Sequence, residues 1–258
     1  MKKKLQISNG IAFVVMIFIN YLSNTGLVNN NTNATVSQAY ENLFTPAGYA
    51  FSIWGIIYLL LLGFVVYQGL GLFNKTKDND LSSKVGWWFV VSCVANSLWL
   101  FAWLYEYLLI ALVIMLILLF ALLKIIFKTG AQITTQSFEM RFFVWLPFSI
   151  YAGWITVATI ANSAALLKQV GWDGFGLSDT FWTVSMIVIA GFINLLVSWK
   201  RNMSVFAIVG VWALVAIAVA NHEVNLDVVY SSLMVAVVLL ISCALLFFKN
   251  WQARTTKI

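Results

Sequence analysis

Apolar residues fill this sequence in long blocks of roughly 18–25, each closed by a short polar or charged stretch. That length matches a helix crossing about 30 Å of hydrocarbon at about 1.5 Å per residue. Lipid offers the backbone no hydrogen-bond partners, so a crossing segment must be a helix or part of a closed barrel. Alternating segments of about ten residues, the mark of a barrel, do not occur. Only 9% of residues are charged and 62% are hydrophobic, against about 25% charged in a soluble domain. A water-soluble fold could not bury that much apolar surface. The expected fold is all-α: a polytopic transmembrane bundle with spans at 8–28, 46–69, 86–105, 108–127, 142–167, 180–199, 204–221 and 228–248.

Charge supports the count of eight. Cytoplasmic loops collect Lys and Arg. With the N-terminus inside, Lys2, Lys3, Lys4, Lys75, Lys77, Lys84, Lys124, Lys128, Arg141, Lys200, Arg201, Lys249, Arg254 and Lys257 all fall on the inner side, and only Lys168 falls outside. A missed or invented span would scramble every downstream loop. Both termini are therefore expected in the cytoplasm, with the chain in a bacterial inner (plasma) membrane. Lys2–Lys4 before an apolar run resembles a secretory leader, but no small-residue cleavage pattern follows, and the run is read as the first span. The net charge of +6 comes from these clusters; no continuous basic stripe exists, so nucleic acid is not expected as a partner. The expected partners are the bilayer and a small hydrophobic molecule.

No Asp or Glu lies mid-span. Glu139 begins an inner helix end, and Glu106, Glu223 and Asp227 lie at outer ends. Proton relays and ion paths normally need intramembrane ionisable groups. The single His, His222, sits at a loop edge, and Cys93 and Cys243 lie within apolar blocks, where they behave as small hydrophobes. No metal site and no catalytic residue is expected, and no cofactor is required.

The spans instead contain Trp, Tyr and Asn. Trp87, Trp88, Trp172, Trp199 and Trp251 fit an interfacial aromatic belt. Others lie deeper. Pro46 suits a first helical turn, and Phe51, Trp54 and Tyr58 follow it at steps of three and four, on one helix face. Asn96, Trp99 and Trp103 repeat the spacing in the third span. Pro147, Tyr151, Trp154, Ala158 and Asn162 form a stripe in the fifth, with Gly153 permitting close helix approach. Trp54, Asn96, Trp99 and Asn162 all fall about 8–13 Å below the outer surface. These groups could satisfy one another as interhelical glue or line a pocket for a flat, lipophilic ligand with a polar edge.

At these residues the chain resembles the translocator protein/tryptophan-rich sensory protein family. The resemblance rests on Pro46 leading to Phe51, Trp54 and Tyr58, on Asn96-Ser97-Leu98-Trp99, and on Trp154 through Asn162, in the second, third and fifth family helices. It covers about residues 1–168 and implies a five-helix bundle over that range, with residues 169–258 adding three further transmembrane helices. It also implies a pocket opening toward one leaflet, lined by Phe51, Trp54, Tyr58, Asn96, Trp99, Trp103, Tyr151, Trp154 and Asn162. The implied ligand is a porphyrin or other tetrapyrrole, or a sterol-like molecule, and a homodimer is a state the family admits. The first family loop, with its Trp-Tyr and Pro-Trp-Pro elements, is replaced by Asn/Thr-rich sequence ending at Thr45-Pro46. The leading expectation is a receptor or carrier for a hydrophobic planar ligand. The alternatives are a secondary transporter of a small neutral or lipophilic solute and, behind it, a membrane enzyme acting on a lipid or pigment.

Overall fold

The computed structural model describes residues 2–74, 80–130 and 137–255. Ten helices account for the described architecture. They are α1 (Lys2–Leu22), α2 (Asn33–Ala39), α3 (Ile53–Phe73, entered through a 3-10 turn at Gly48–Ser52), α4 (Leu81–Val85) and α5 (Trp88–Leu104). They continue with α6 (Leu108–Lys128), α7 (Phe138–Gln169), α8 (Asp179–Arg201), α9 (Ser204–Asn221) and α10 (Leu226–Thr255). A helix stands at each of the eight expected spans, and α2 and α4 are short connectors. Seven of the eight are long and apolar enough to cross a bilayer; α5 is apolar but has 17 residues. At about 1.5 Å per residue it reaches about 25 Å, near the lower limit for a span.

The first five spans close into a ring. Helix α1 packs on α3 and α5, α3 on α7, α7 on α6, and α6 on α5. The remaining three pack on one another, and α9 docks this unit against the outside of α7. Polar side chains staple the unit at several depths: Thr180 to Asn225 at 2.7 Å, Trp199 to Ser242 at 2.8 Å, and a reciprocal Asn202–Asn250 amide pair at 2.7 and 3.2 Å. Each replaces a backbone or side-chain bond to water that lipid cannot offer. One end of the whole bundle carries Lys84, Lys124, Lys128, Arg141, Lys200, Arg201 and Lys249; the other carries the 23–47 connection. These are called the basic end and the lid end.

Local sequence explains where the boundaries depart from expectation. Helix α1 begins at Lys2 and stops at Leu22, because the chain turns at Ser23–Gly26 and then passes Asn29 and Asn30 at positive φ. Pro46 is not in a helical first turn. The following residue, Ala47, gives its N–H to the carbonyl of Ala216 on α9 at 3.0 Å, which delays the helix to Gly48. In α7 the residues before Pro147 form a π-turn, Arg141–Trp145, in which Leu146 N–H reaches back to Arg141. A proline lacks the N–H and its ring clashes with the carbonyl four residues earlier, so a widened turn at this point relieves both problems.

Gly153 allows the close approach its spacing suggests, and the partner is α9. A Cβ there would lie 3.1 Å from the Phe206 carbonyl oxygen and 3.1 Å from Val209 Cβ. Gly55, in the first turn of α3, has open space around it. Gly153→Val is expected to destabilise the protein by about 1–3 kcal/mol through overpacking. Gly55→Ala is expected to stabilise it by about 0.5–1 kcal/mol through helix propensity. Thermal unfolding midpoints in detergent, read by near-UV circular dichroism, should move in opposite directions.

Candidate functional site: an aromatic cavity beneath a latched lid

A cavity of about 480 Å³ opens inside the five-helix ring toward the lid end, within the range of about 300–1,000 Å³ typical of small-molecule sites. Phe51, Trp54 and Tyr58 reach it from the start of α3, Trp99 and Trp103 from α5, and Trp154 and Asn162 from α7. Seven of the nine residues singled out in the sequence are thus brought to one space. Small side chains of α7, at Ala158, Ala161 and Ala165, keep the space open along that helix.

Asn96 and Tyr151 do not line it. Both are fully buried, at 0% exposure, in a layer beneath the cavity floor. Helical side chains lean toward the N-terminus and cover the preceding turn. Trp99 and Trp154 therefore overlie the residues three positions before them, which are Asn96 and Tyr151. These two residues lie on the same helix faces as the lining Trp residues, but in each stripe the Trp shields the residue three positions before it.

Ring packing sets the walls. Trp154 stands edge-on to both Phe51 and Trp54, at 6.0 and 6.4 Å between centroids, and Trp54 stacks on Tyr58 at 5.4 Å. Such pairs add about 0.5–1.5 kcal/mol each beyond area burial. The polar groups are organised around Asn20 of α1. Its amide nitrogen donates to the Met16 carbonyl at 2.8 Å and to Asn96 Oδ1 at 2.8 Å, while its oxygen accepts from the Tyr58 hydroxyl. Across the cavity the Trp99 indole N–H donates to Asn162 Oδ1 at 3.0 Å. Three buried polar atoms on lining residues, Trp154 Nε1, Asn162 Nδ2 and Asn33 Oδ1, have no hydrogen-bond partner among the described residues.

Asn20 is not among the residues that periodicity singles out in the sequence. The usable signal was physical: a carboxamide deep in an apolar segment is costly unless partnered. The lid was also missed. Helix α2, capped by a reciprocal Thr32–Thr35 box, and the residues around it cover the mouth with Asn33, Ser37, Tyr40 and Asn42. Glu106 latches this segment. Its carboxylate accepts from the Tyr40 hydroxyl at 2.7 Å and from Asn31 Nδ2 at 3.1 Å, and its carbonyl accepts from Gln169 Nε2 at 2.8 Å. Lys168 Nζ donates to the Glu41 carbonyl of the same segment. The bond to Glu106, with burial, holds the Tyr40 phenol above its usual pKa. Glu106 sits at φ +60°, in the left-handed region that usually takes Gly. A strained non-glycine residue at that turn supplies a carboxylate that glycine could not.

The three C-terminal helices do not reach the cavity, whose lining ends at Ala165. They brace its rim. Besides the Ala47–Ala216 bond, Trp212 Nε1 of α9 donates to the Ala50 carbonyl at 3.1 Å and Asn221 Nδ2 to the Leu43 carbonyl at 2.9 Å. Tyr49 packs edge-on against Trp212 at 5.3 Å.

No carboxylate, imidazole, thiol or amine lines the cavity among the described residues. The site offers aromatic surface and hydrogen bonds. Fold and cavity together define a multi-pass helical membrane protein with an enclosed aromatic site between its first five spans. A family match runs over residues 6–245, and the chain belongs to the TSPO-like protein family. That match continues past residue 168 through α8 and α9 and into α10, so these helices fall inside the family's pattern. No curated protein and no solved structure matches the chain.

Glu106→Gln replaces the charged acceptor of the lid latch by a neutral one. A loss of about 1 kcal/mol predicts roughly fivefold faster amide exchange over residues 31–45, with the ring helices unchanged. Hydrogen exchange measured by mass spectrometry checks this, and unaltered lid exchange would remove Glu106 as the latch.

Proposed function

We propose that this protein is a receptor or carrier that binds a hydrophobic, flat small molecule in the cavity between α1, α3, α5, α6 and α7. The observation that carries the reading is the convergence of Phe51, Trp54, Tyr58, Trp99, Trp103, Trp154 and Asn162 on one space of about 480 Å³. Interhelical glue would leave such groups packed against each other with no space between, whereas here aromatic faces border an opening. Membership in the TSPO-like family supports the same reading, and tetrapyrroles are a suitable ligand class to test first. The lid gives the ligand a route from the lid-end surface without passage through the ring wall. The basic end is read as the cytoplasmic one under the positive-inside rule, in a bacterial inner membrane.

Trp99 and Trp154 supply facing wall elements from α5 and α7. Trp99→Ala with Trp154→Ala should abolish the quenching of tryptophan fluorescence by an added porphyrin, while far-UV circular dichroism stays helical. Titration of the purified full-length protein in mild detergent measures this. Quenching of the folded double variant at wild-type affinity contradicts the proposed site. Uptake into proteoliposomes that responds to an imposed gradient would make the protein a transporter rather than a binder.

A further inference from the structure

We propose a second binding site, separate from the aromatic cavity: a groove between α1 and α3 that holds one acyl chain of an anionic phospholipid, whose headgroup rests against Lys3 and Lys4. The proposal does not depend on the reading that the cavity takes a ligand.

The groove has a volume of about 550 Å³ and runs along the outer side of the two helices. Ile7, Gly10, Ile11 and Val14 form its α1 wall, and Val66 and Gly69 stand opposite on α3. Ile7, Ile11, Val14 and Val66 are each more than half exposed, so nothing else in the chain fills the space. The two glycines create it: a Cβ added at Gly10 or Gly69 would meet nothing within 4 Å. Beneath lies a polar clasp. Gln6 and Gln68 exchange amide-to-carbonyl bonds at 2.6 and 3.3 Å, and Asn9 Nδ2 donates to Gln68 Oε1 at 2.9 Å. All three side chains are buried, and their directional bonds fix the separation of the helices. From Gln6 to Val15 the lining covers about 14 Å at about 1.5 Å per residue. That is close to one leaflet of a hydrocarbon core about 30 Å thick.

Charge at the basic end selects the occupant. Lys3 precedes Ile7 by four residues and Gly10 by seven, and Lys4 precedes Ile7 by three and Ile11 by seven. Both lysines therefore begin the helix face that lines the groove. Helical side chains lean toward the N-terminus, which carries the two ammonium groups outward to headgroup level. Both are exposed, and neither has an ion pair among the described residues, whereas Lys2 is held on Asp80 at 3.2 Å. The other described acid at this end, Glu139, belongs to α7, which does not line the groove. Apolar contact alone does not favour protein over surrounding lipid, so the groove supplies shape and the lysines supply preference. Each lysine at the surface is expected to favour an anionic headgroup roughly fivefold. The same charge disfavours a second copy. A two-fold axis through this groove, along the membrane normal, would set Lys3 and Lys4 beside their own duplicates.

Native mass spectrometry tests the site. The full-length protein is reconstituted in vesicles of equal parts phosphatidylglycerol and phosphatidylcholine with matched acyl chains, then released into mild detergent. The expected result is one retained phosphatidylglycerol per chain, favoured over phosphatidylcholine by about tenfold. Lys3→Gln with Lys4→Gln should remove that preference. Gly10→Leu with Gly69→Leu fills the groove while keeping both charges, and should lose the retained lipid. These leucines meet no protein atom at Cβ and favour the helix, and far-UV circular dichroism checks that the variant is folded. Lys200→Gln removes a charge from the same end, on α8, and should leave the preference as it was. Equal retention of the two lipids by the unaltered chain overturns the proposal. So does a leucine variant that keeps phosphatidylglycerol, or a Lys200→Gln variant that loses the preference as fully as the α1 pair, since either assigns the binding to surface charge alone. A lipid-free dimer that the leucine pair dissociates gives the groove to a second copy and overturns it as well. Each of these results leaves the proposal for the aromatic cavity standing.

Discussion

Inside the ring, the Asn20 carboxamide contacts three helices: it returns to Met16 on α1, gives its second hydrogen to Asn96 on α5, and accepts the Tyr58 hydroxyl from α3. The Trp99–Asn162 bond then joins α5 to α7. Four of the five ring helices are thus pinned at one level by directional bonds, in a medium where unpartnered polar groups are expensive. Dispersion packing alone would let the helices close on one another. Polar bonds of fixed length, with large indoles held edge-to-face, keep them apart at the level of the cavity and together beneath it.

The second constraint comes from outside the ring. The segment between residues 43 and 51 must pass from the lid to α3 while presenting Thr45, Pro46, Gly48 and Phe51 to the cavity. Its own local bonds are few. Helix α9 supplies three: to Leu43, Ala47 and Ala50. The close contact at Gly153 places α9 near enough to do so. Helix α9, packed against α8 and α10, therefore fixes the rim of the site, and the family match includes all three helices.

Much of the fold was legible in the sequence because lipid imposes a length and a charge rule that survive without knowledge of contacts. The seventh span runs Ser204–Asn221, as expected from residue pattern alone. The site was legible in part. Periodicity placed Phe51, Trp54 and Tyr58 on one face, and similarly Trp99 with Trp103 and Trp154 with Asn162. It could not show that each indole would cover the residue one turn before it, which removed Asn96 and Tyr151 from the wall. The lid was illegible for a different reason. Its order depends on Glu106, Lys168 and Gln169, which lie at the ends of other helices, and an Asn/Thr-rich stretch has no periodicity to read. Pro46 was placed one turn too deep in a helix because its neighbour's partner, Ala216, is remote in sequence.

The central claim is that the ring encloses a space occupied by a small molecule rather than by lipid tails or nothing. Mass spectrometry of small molecules extracted from the protein purified in mild detergent tests it most directly, alongside an Ala158→Phe variant in which a bulky ring enters the cavity. The account predicts a near-stoichiometric hydrophobic small molecule retained by the unaltered chain and depleted in the variant. Identical extracts containing only bulk phospholipid from both proteins would contradict it.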